Sequence, residues 1–334
     1  MVTIRDVASR AGVSIATVSR VLNRTGNYTA ETEKRVRGAV EELGYTTNLT
    51  ARSLKTGRTG TIAILMMEYV LLETPEIIGS VCRVVQEQGF TLEMIIDGDL
   101  EHAVTLMGEG KHDGLLLIDP LRDEAALSKL VKTNQSFVLL GGETDREDVN
   151  LVEIDHFGAG YTVTSELIAQ GHRDILFIED NGDLLYTKEI KRGYLFALDE
   201  NGIPYKEELL VRTSGWTGGK ESIGYDALQA TTGTAGYTAV LTTNDRIAFG
   251  VLSAARMIDL SVPLQLSVIG YGDLPQSDHA IPPLSTVTVP YRQLGELGAE
   301  ILVNNISRRD RIVKRVKLQT QMVHRNSLSK IPSQ

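Results

Sequence analysis

Two patterns of apolar residues divide the chain near residue 60. Ahead of that point they recur at helical spacing: Ile4, Val7, Ala8 and Ala11 share one face, Val18, Val21 and Leu22 a second, and Val36, Ala39, Val40 and Leu43 a third. Thr3 with Asp6 three residues later reads as a capping box, Ser14 and Thr29 as N-caps, and Gly12 and Gly44 as helix stops. Glu31 and Glu33 suit the positive end of the third helix. Beyond residue 60, short apolar runs alternate with helical segments. The clearest strands are Thr61–Met67, Gly114–Ile118, Phe137–Leu140, Asp174–Ile178, Ala239–Thr242 and Ser267–Gly270. Helical segments include Pro75–Gln88, Ala159–Ala169, Lys188–Glu200, Arg246–Ile258 and Gln293–Ile306. Near-continuous apolar strands between helices imply parallel sheets covered on both faces. The expected architecture is an all-α helix-turn-helix headpiece followed by an α/β core of two doubly wound lobes.

The second helix carries a polar face opposite its apolar one: Ala16, Thr17, Ser19, Arg20 and Asn23. Two helices joined by a short turn, closed by a third, describe a helix-turn-helix unit. In a major groove Arg20 could donate twice to guanine O6 and N7, and Ile15 or Ala16 could touch a thymine methyl. Ser14, Thr17 and Asn23 have the size to bond phosphates and fix register. A small three-helix bundle without a DNA role is the alternative that periodicity leaves open.

Charge sharpens the division. The 334 residues carry a net charge of −9, which argues at first against an anionic partner. Residues 1–60 alone carry +5, however, and the remainder −14. A basic head on an acidic body points to an anion bound at one end. Charged residues at the start, and the lack of an apolar run of membrane-spanning length, predict a cytoplasmic chain with no membrane partner. A single cysteine, Cys82, excludes an internal disulfide and four-cysteine zinc sites.

Particular residues carry a resemblance. Thr3-Ile4-Arg5-Asp6-Val7-Ala8, Ala11-Gly12-Val13-Ser14 and Thr17-Val18-Ser19-Arg20-Val21-Leu22-Asn23 closely resemble the headpiece of the LacI/GalR (lactose-repressor) family of bacterial transcription regulators. Leu43-Gly44-Tyr45-Thr46-Thr47-Asn48 and Ala51-Arg52-Ser53-Leu54 look like that family's hinge, with Thr47 where proline is usual. Asn48 can cap a helix over Leu49–Thr56, which is too short to be stable in water without a partner. The resemblance supplies one: two hinge helices pair in the minor groove, Ala51 allows close approach, and Leu54 wedges a base step. It also implies a homodimer on a near-palindromic double-stranded operator, more often repressing than activating. Ile15, Ala16, Ser19 and Arg20 would read bases, with Asn27 beside them, while Thr3, Ser14, Thr17, Asn23, Tyr45 and Asn48 hold the backbone.

The resemblance continues through Gly171-His172-Arg173, Gly193-Tyr194, Asn244-Asp245, Ser267-Val268-Ile269-Gly270-Tyr271, Ile281-Pro282-Pro283-Leu284 and Val323-His324-Arg325-Asn326-Ser327. It implies a periplasmic-binding-protein-like core with a cleft between its lobes. The boundaries drawn from it are residues 1–47 for the headpiece, 48–59 for the hinge and linker, and 60–334 for the core. Lobe one takes about 60–157 with 292–318, and lobe two about 158–290 with 319–330. Between Glu68 and Gly114 the likeness weakens, and the second strand connection reads as shortened.

Small ligands bind such folds at the carboxyl ends of strands. Glu68, Tyr69, Tyr186, Trp216 and Asn244 are the candidates, Asn244 matching a family effector contact. Two positions depart from the family: Ile190 stands where an effector-anchoring arginine is common, and Gly272 where an aspartate is expected. Losing an arginine fork and a carboxylate removes the usual grip on a sugar. A small-molecule effector of another class, a protein co-regulator, or a core that only dimerises all remain open. With Glu68 and Glu73 near the cleft, a cationic or donor-rich ligand is one option.

Nothing calls for catalysis. The chain has no GxSxG, P-loop, HExxH or post-strand GxGxxG. Its six histidines show no metal-ligand spacing, and His172 reads as a structural turn residue. A non-enzyme without cofactor or metal is expected. A transport-type binding protein would share the core but lack the head.

Overall fold

The computed structural model describes residues 2–23, 26–45, 58–67, 74–96, 98–120, 122–180, 182–212, 219–233, 236–307 and 312–331. It divides into two units, Met1–Gly60 and Thr61–Gln334.

The first unit is built from α1 (Ile4–Ala11), α2 (Ile15–Asn23) and α3 (Ala30–Leu43). Val7, Val18, Val21 and Val36 are fully buried at its centre. Each helix starts on a side-chain cap. Thr3 donates both its amide and its hydroxyl to Asp6 Oδ2 at 2.8 Å, so the hydroxyl serves the carboxylate. The Thr17 amide donates to Ser14 Oγ at 3.1 Å, and the Thr32 amide to Thr29 Oγ1 at 3.2 Å. Gly12 and Gly44 close α1 and α3 in the left-handed region, at φ 64° and 60°. The expected hinge helix, with Asn48, Ala51 and Leu54, lies outside the described residues, as does the side chain of Asn23.

The second unit holds two parallel sheets. Sheet one runs in the order β11-β5-β4-β3-β1-β2. Its strands are β1 (Thr61–Met66), β2 (Thr91–Ile96), β3 (Gly114–Ile118), β4 (Ser136–Leu140), β5 (Leu151–Ile154) and β11 (Arg315–Leu318). Sheet two, β7-β6-β8-β9, takes β6 (Ile175–Ile178), β7 (Leu210–Val211), β8 (Ala239–Thr242) and β9 (Ser267–Ile269). A short antiparallel pair, β10 (Thr286–Thr288) and β12 (Gln321–Val323), completes the strands described.

The period of two along each strand distributes side chains to two helical layers. From β1, Ile62, Ile64 and Met66 enter one cluster, with α4 (Pro75–Glu87) and α11 (Tyr291–Ser307). Ala63 and Leu65 enter the other, with α5 (Leu100–Gly108) and α6 (Glu124–Lys132). Sheet two repeats the device. Ile175 and Phe177 meet α7 (His156–Ala169) and α8 (Leu185–Glu200). Leu176 and Ile178 meet α9 (Lys220–Thr231) and α10 (Asp245–Met257).

Helix pairs of lobe two cross backbone to backbone. A Cβ added at Gly193 would lie 2.2 Å from the Phe157 carbonyl, and one at Gly250 1.9 Å from that of Glu221. The Gly-Tyr pair in α8 is thus a packing feature, with Tyr194 buried and donating to the Ile175 carbonyl at 3.0 Å.

The connection that read as shortened contains a complete α4–β2–α5 passage. β2 escaped notice because it is a sheet edge pairing only with β1, so polar Thr91 and Glu93 interrupt the run and Met94 and Ile96 stay exposed. His172 is structural: its Nδ1 meets Thr238 Oγ1 at 2.8 Å and its Nε2 the Ser329 carbonyl at 3.1 Å. Desolvation lowers its pKa.

Candidate DNA-binding face and ligand cavity

On α2, Val18 and Val21 hold the helix against the headpiece core, which turns Ile15, Ala16 and Arg20 outward. Ile15, 45% exposed, is a large apolar side chain left in water on this face. Ser19 and Thr17 are half-buried at the edge of this face, and Asn27 is exposed beyond the helix. The Arg20 stem passes close to Gly26, where an added Cβ would stand 3.6 Å from its Cδ. Tyr45 packs against the headpiece core, and Thr3 and Ser14 are exposed with their hydroxyls engaged in caps. Arg10 and Arg37 are tied to Glu42 and Glu33, at 2.7 and 2.8 Å.

In the second unit a cavity of about 260 Å³ lies where the strands of both sheets end. Asp119 follows β3, Gly142 and Glu143 follow β4, and Asp155 and His156 follow β5. Across from them, Thr243 and Asn244 follow β8, and Tyr271 and Gly272 follow β9. Helix starts complete the wall with Tyr186, Lys220 and Tyr291.

Three hydrogen-bonded groups shape the lobe-two side. Tyr186 donates its hydroxyl to Asp180 Oδ2 at 2.6 Å, and Lys220 Nζ sits 2.6 Å from the same oxygen. His156 Nδ1 and the Tyr271 hydroxyl are 2.5 Å apart. Asn244 caps α10, its Oδ1 accepting from the Arg246 amide at 2.9 Å. Burial pushes both tyrosine hydroxyls well above their usual pKa, Tyr186 further under the Asp180 charge. Desolvation brings His156 down to about 4.

Of the residues expected at the ligand site, Tyr186, Asn244 and Gly272 line the cavity. Gly272 takes φ 129°, and an added Cβ there would meet open space. The site has room for a side chain, but the backbone conformation resists any residue with one. Ile190 is a correction: it is 1% exposed, in the core, and away from the cavity wall. At about 100° per residue Ile190 lies one turn beyond Tyr186 on nearly the same face as Tyr186, Thr187, Tyr194 and Ala197, so what buries it is its depth along α8, where that helix packs on Gly160 of α7. Glu68, Tyr69 and Trp216 lie outside the described residues, as does Glu73. Sequence reasoning passed over Asp119, Glu143, His156 and Tyr291. The strand-end rule that selected Asn244 would have found the first three, had it been applied after β3, β4 and β5. Among the described residues no cluster of three His, Cys, Asp or Glu is placed to hold a metal, and no helix is long and apolar enough to cross a membrane.

A helix-turn-helix head and a two-sheet core with an interlobe cavity define a DNA-binding regulator with a binding-protein-like body. Residues 3–48 match the family model for bacterial regulatory proteins of the lacI family, and residues 164–328 that for the periplasmic binding protein-like domain. The HTH-type transcriptional repressor PurR of Aliivibrio fischeri (strain ATCC 700601 / ES114) is 33% identical, covering 98% of this chain and 99% of its own. The HTH-type transcriptional regulator RegA of Clostridium saccharobutylicum is 32% identical, covering 97% and 98%. Among solved structures, the Lac repressor dimer bound to operator and the anti-inducer ONPF superposes with TM-score 0.84 at 25% identity, covering 98% of this chain and 99% of that one. The transcriptional regulator CelR–cellobiose complex gives TM-score 0.70 at 28% identity, covering 98% and 100%. The chain belongs to the lacI family of bacterial regulatory proteins, and it is a DNA-binding transcriptional regulator.

Proposed function

We propose that the chain represses transcription as a homodimer on a near-palindromic operator, under the control of a small molecule bound in the interlobe cavity. The observation that carries this reading is the outward face of α2: Ile15, Ala16 and Arg20 stand in water because Val18 and Val21 are locked into the core behind them. Ile15, Ala16, Ser19 and Arg20 read base edges and Asn27 extends the reading, while Thr3, Ser14, Thr17, Asn23, Tyr45 and Asn48 hold the sugar-phosphate chain. Ala51 and Leu54 belong to a hinge over residues 48–59 that folds on the minor groove. The body carries no catalytic role in this reading, and the protein works in the cytoplasm.

The cavity favours a ligand over a core that only dimerises. It is concave, it is lined from both lobes, and Tyr186 and Asn244 converge on it, as expected of a small-molecule site. Asn244 Oδ1 serves the α10 cap, so its Nδ2 is the atom offered to a ligand. Gly272 and Tyr186 complete the contact set, and Ile190 takes no part. Glu68, Tyr69 and Trp216 remain candidates on the sequence pattern alone. A ligand that contacts both lobes binds their closed and open arrangements unequally, and that difference is what moves the population able to hold operator.

The test is selection of binding sites from a random duplex library by the full chain, followed by Arg20→Ala on the selected site. A two-fold symmetric consensus is expected. The variant should lose about 1–3 kcal/mol per half-site and relax preference at one base position. Equal loss on every sequence would reassign Arg20 to phosphate, and the lack of any consensus would overturn the reading.

A further inference from the structure

The charge of the cavity wall is unevenly placed. Lobe one contributes Asp119, Glu143, Glu153 and Asp155, and lobe two contributes Glu189. Among the described residues Lys220 and Lys317 are the cations on the same wall, so five carboxylates face two ammonium groups there. Among the described residues the excess is three negative charges, all of it on lobe one, since Glu189 and Lys220 offset each other on lobe two.

The cations near these carboxylates stand mostly behind the wall or are shared with other acids. Lys220 is turned to Asp180, which does not line the cavity, and their 2.6 Å pair spends its charge there. Lys317 reaches Glu153 only at 3.5 Å and is half exposed. Arg122 approaches Glu143 at 3.4 Å while dividing itself between Glu124 and Asp145. Arg192 holds Glu189 at 2.5 Å, and Asp155 accepts from the Gly158 amide at 3.0 Å. His156 is uncharged near neutrality, since burial lowers its pKa to about 4. Among the described residues no arginine lines the cavity, and the carboxylates are spread around it without converging as metal ligands would.

A phosphate or carboxylate brought into such a space loses its water and meets like charge, with no guanidinium to receive it. An ammonium group meets the reverse. Tyr186, Tyr271 and Tyr291 supply the apolar and π surface for the rest of a ligand. We propose that the cavity selects a small organic amine, its ammonium toward the carboxylates of lobe one and its body against these tyrosines, and rejects phosphorylated and carboxylated compounds. This rests on the reading of the cavity as the effector site.

The test reads the selectivity without knowing the natural ligand. In a full-length Cys82→Ser background, Leu185→Cys and Leu274→Cys each place one thiol on the cavity wall at a half-buried position. Their rates with the cationic reagent 2-(trimethylammonium)ethyl methanethiosulfonate and the anionic 2-sulfonatoethyl methanethiosulfonate are compared, each normalised to a free thiol. Three excess charges at roughly 8 Å favour the cation by about tenfold at about 0.15 M salt, and the ratio should fall toward unity at about 1 M. Combining Glu143→Gln with Glu153→Gln should collapse it as well. A ratio at or below one in low salt, or one indifferent to both substitutions, overturns the proposal. The labelled proteins are then tested on the selected DNA site. A cation-selective cavity whose occupation leaves DNA affinity unchanged would refute the gating reading while the ligand class stands.

Discussion

Acidification should destabilise the core through His156, and the amount follows from its surroundings. The imidazole is the first residue of α7, at the positive end of that helix, where a second positive charge is unwelcome. The Tyr271 hydroxyl keeps its proton, because burial pushes its pKa well above the usual range, and so it donates to His156 Nδ1. The ring proton then sits on Nε2, and protonation of Nδ1 would require the Tyr271 hydroxyl to turn and accept instead. Desolvation dominates the depression to about 4, Lys317 adds to it, and Asp155 opposes both.

The sign is fixed by the unfolded chain, which takes up the proton near pH 6.5 while the folded one waits until about 4. Stability is therefore intact above pH 6.5, falls as the pH drops toward 4, and loses nothing further from this group below that. Full linkage would give about 3 kcal/mol. Because part of the ring opens to the cavity, screening reduces it to about 1–2 kcal/mol, of which about 1 is spent by pH 5. The measurement is urea unfolding of wild type and His156→Gln at pH 7 and pH 5, followed by far-ultraviolet circular dichroism. Gln keeps an acceptor for Tyr271 without the titration. The wild type should lose about 1 kcal/mol more than the variant between the two conditions. Equal losses would refute the assigned tautomer and burial together.

Two further predictions concern packing and charge. Lys220→Met takes the ammonium away from the Asp180 carboxylate, which is 9% exposed and also accepts from Tyr186, and should cost about 2–3 kcal/mol in urea unfolding. Asp180→Asn with Lys220→Met should recover at least half of that, and a single-variant cost below about 1 kcal/mol would show that the pair is solvated. Gly250→Ala drives a Cβ into the Glu221 carbonyl and should destabilise by about 3 kcal/mol or more. Gly79→Ala, in helix α4 with nothing within 4 Å, should instead be neutral or stabilise by up to about 1 kcal/mol, both variants being read by urea unfolding.

What could be read from the residues depended on whether local chemistry or distant pairing decided the outcome. The headpiece was legible because its signals are local: Ser14 and Thr29 cap, Gly12 and Gly44 stop, and the valines recur at helical spacing. Strands β1, β3 and β4 were legible because burial on both faces leaves them apolar throughout. β2 was not, since an edge strand relaxes that demand, and β10 and β12 are three residues each, too short to show a period. The ligand site divides the same way. Tyr186 and Asn244 could be found from their place after a strand or at a helix start. The burial of Ile190 depends on how α8 crosses α7, where the Ile190 carbonyl stands 2.1 Å from a Cβ added at Gly160. No spacing along one helix contains that information.

The division of charge seen in the sequence acquires a second meaning in the core. A basic head joined to an acidic body is expected to confine DNA to the head, a long-range effect that salt weakens. Part of the same excess is gathered at the ends of β3, β4 and β5, inside a cavity where screening is poorer and each charge counts for more. The chain passes between the lobes beside this cavity. Asp155 and His156 link β5 to α7, Tyr291 opens α11 just after β10, and Lys317 ends in β11 shortly before β12. A ligand held there touches the connecting segments as well as both lobes, so its binding energy depends on the angle between them. That dependence is what a gate requires, because a ligand indifferent to the angle would shift nothing however tightly it bound. Acid residues on lobe one and Tyr186 and Tyr271 on lobe two divide the work: a ligand bearing an ammonium on an apolar body gains its full contacts only when the two lobes close on it together.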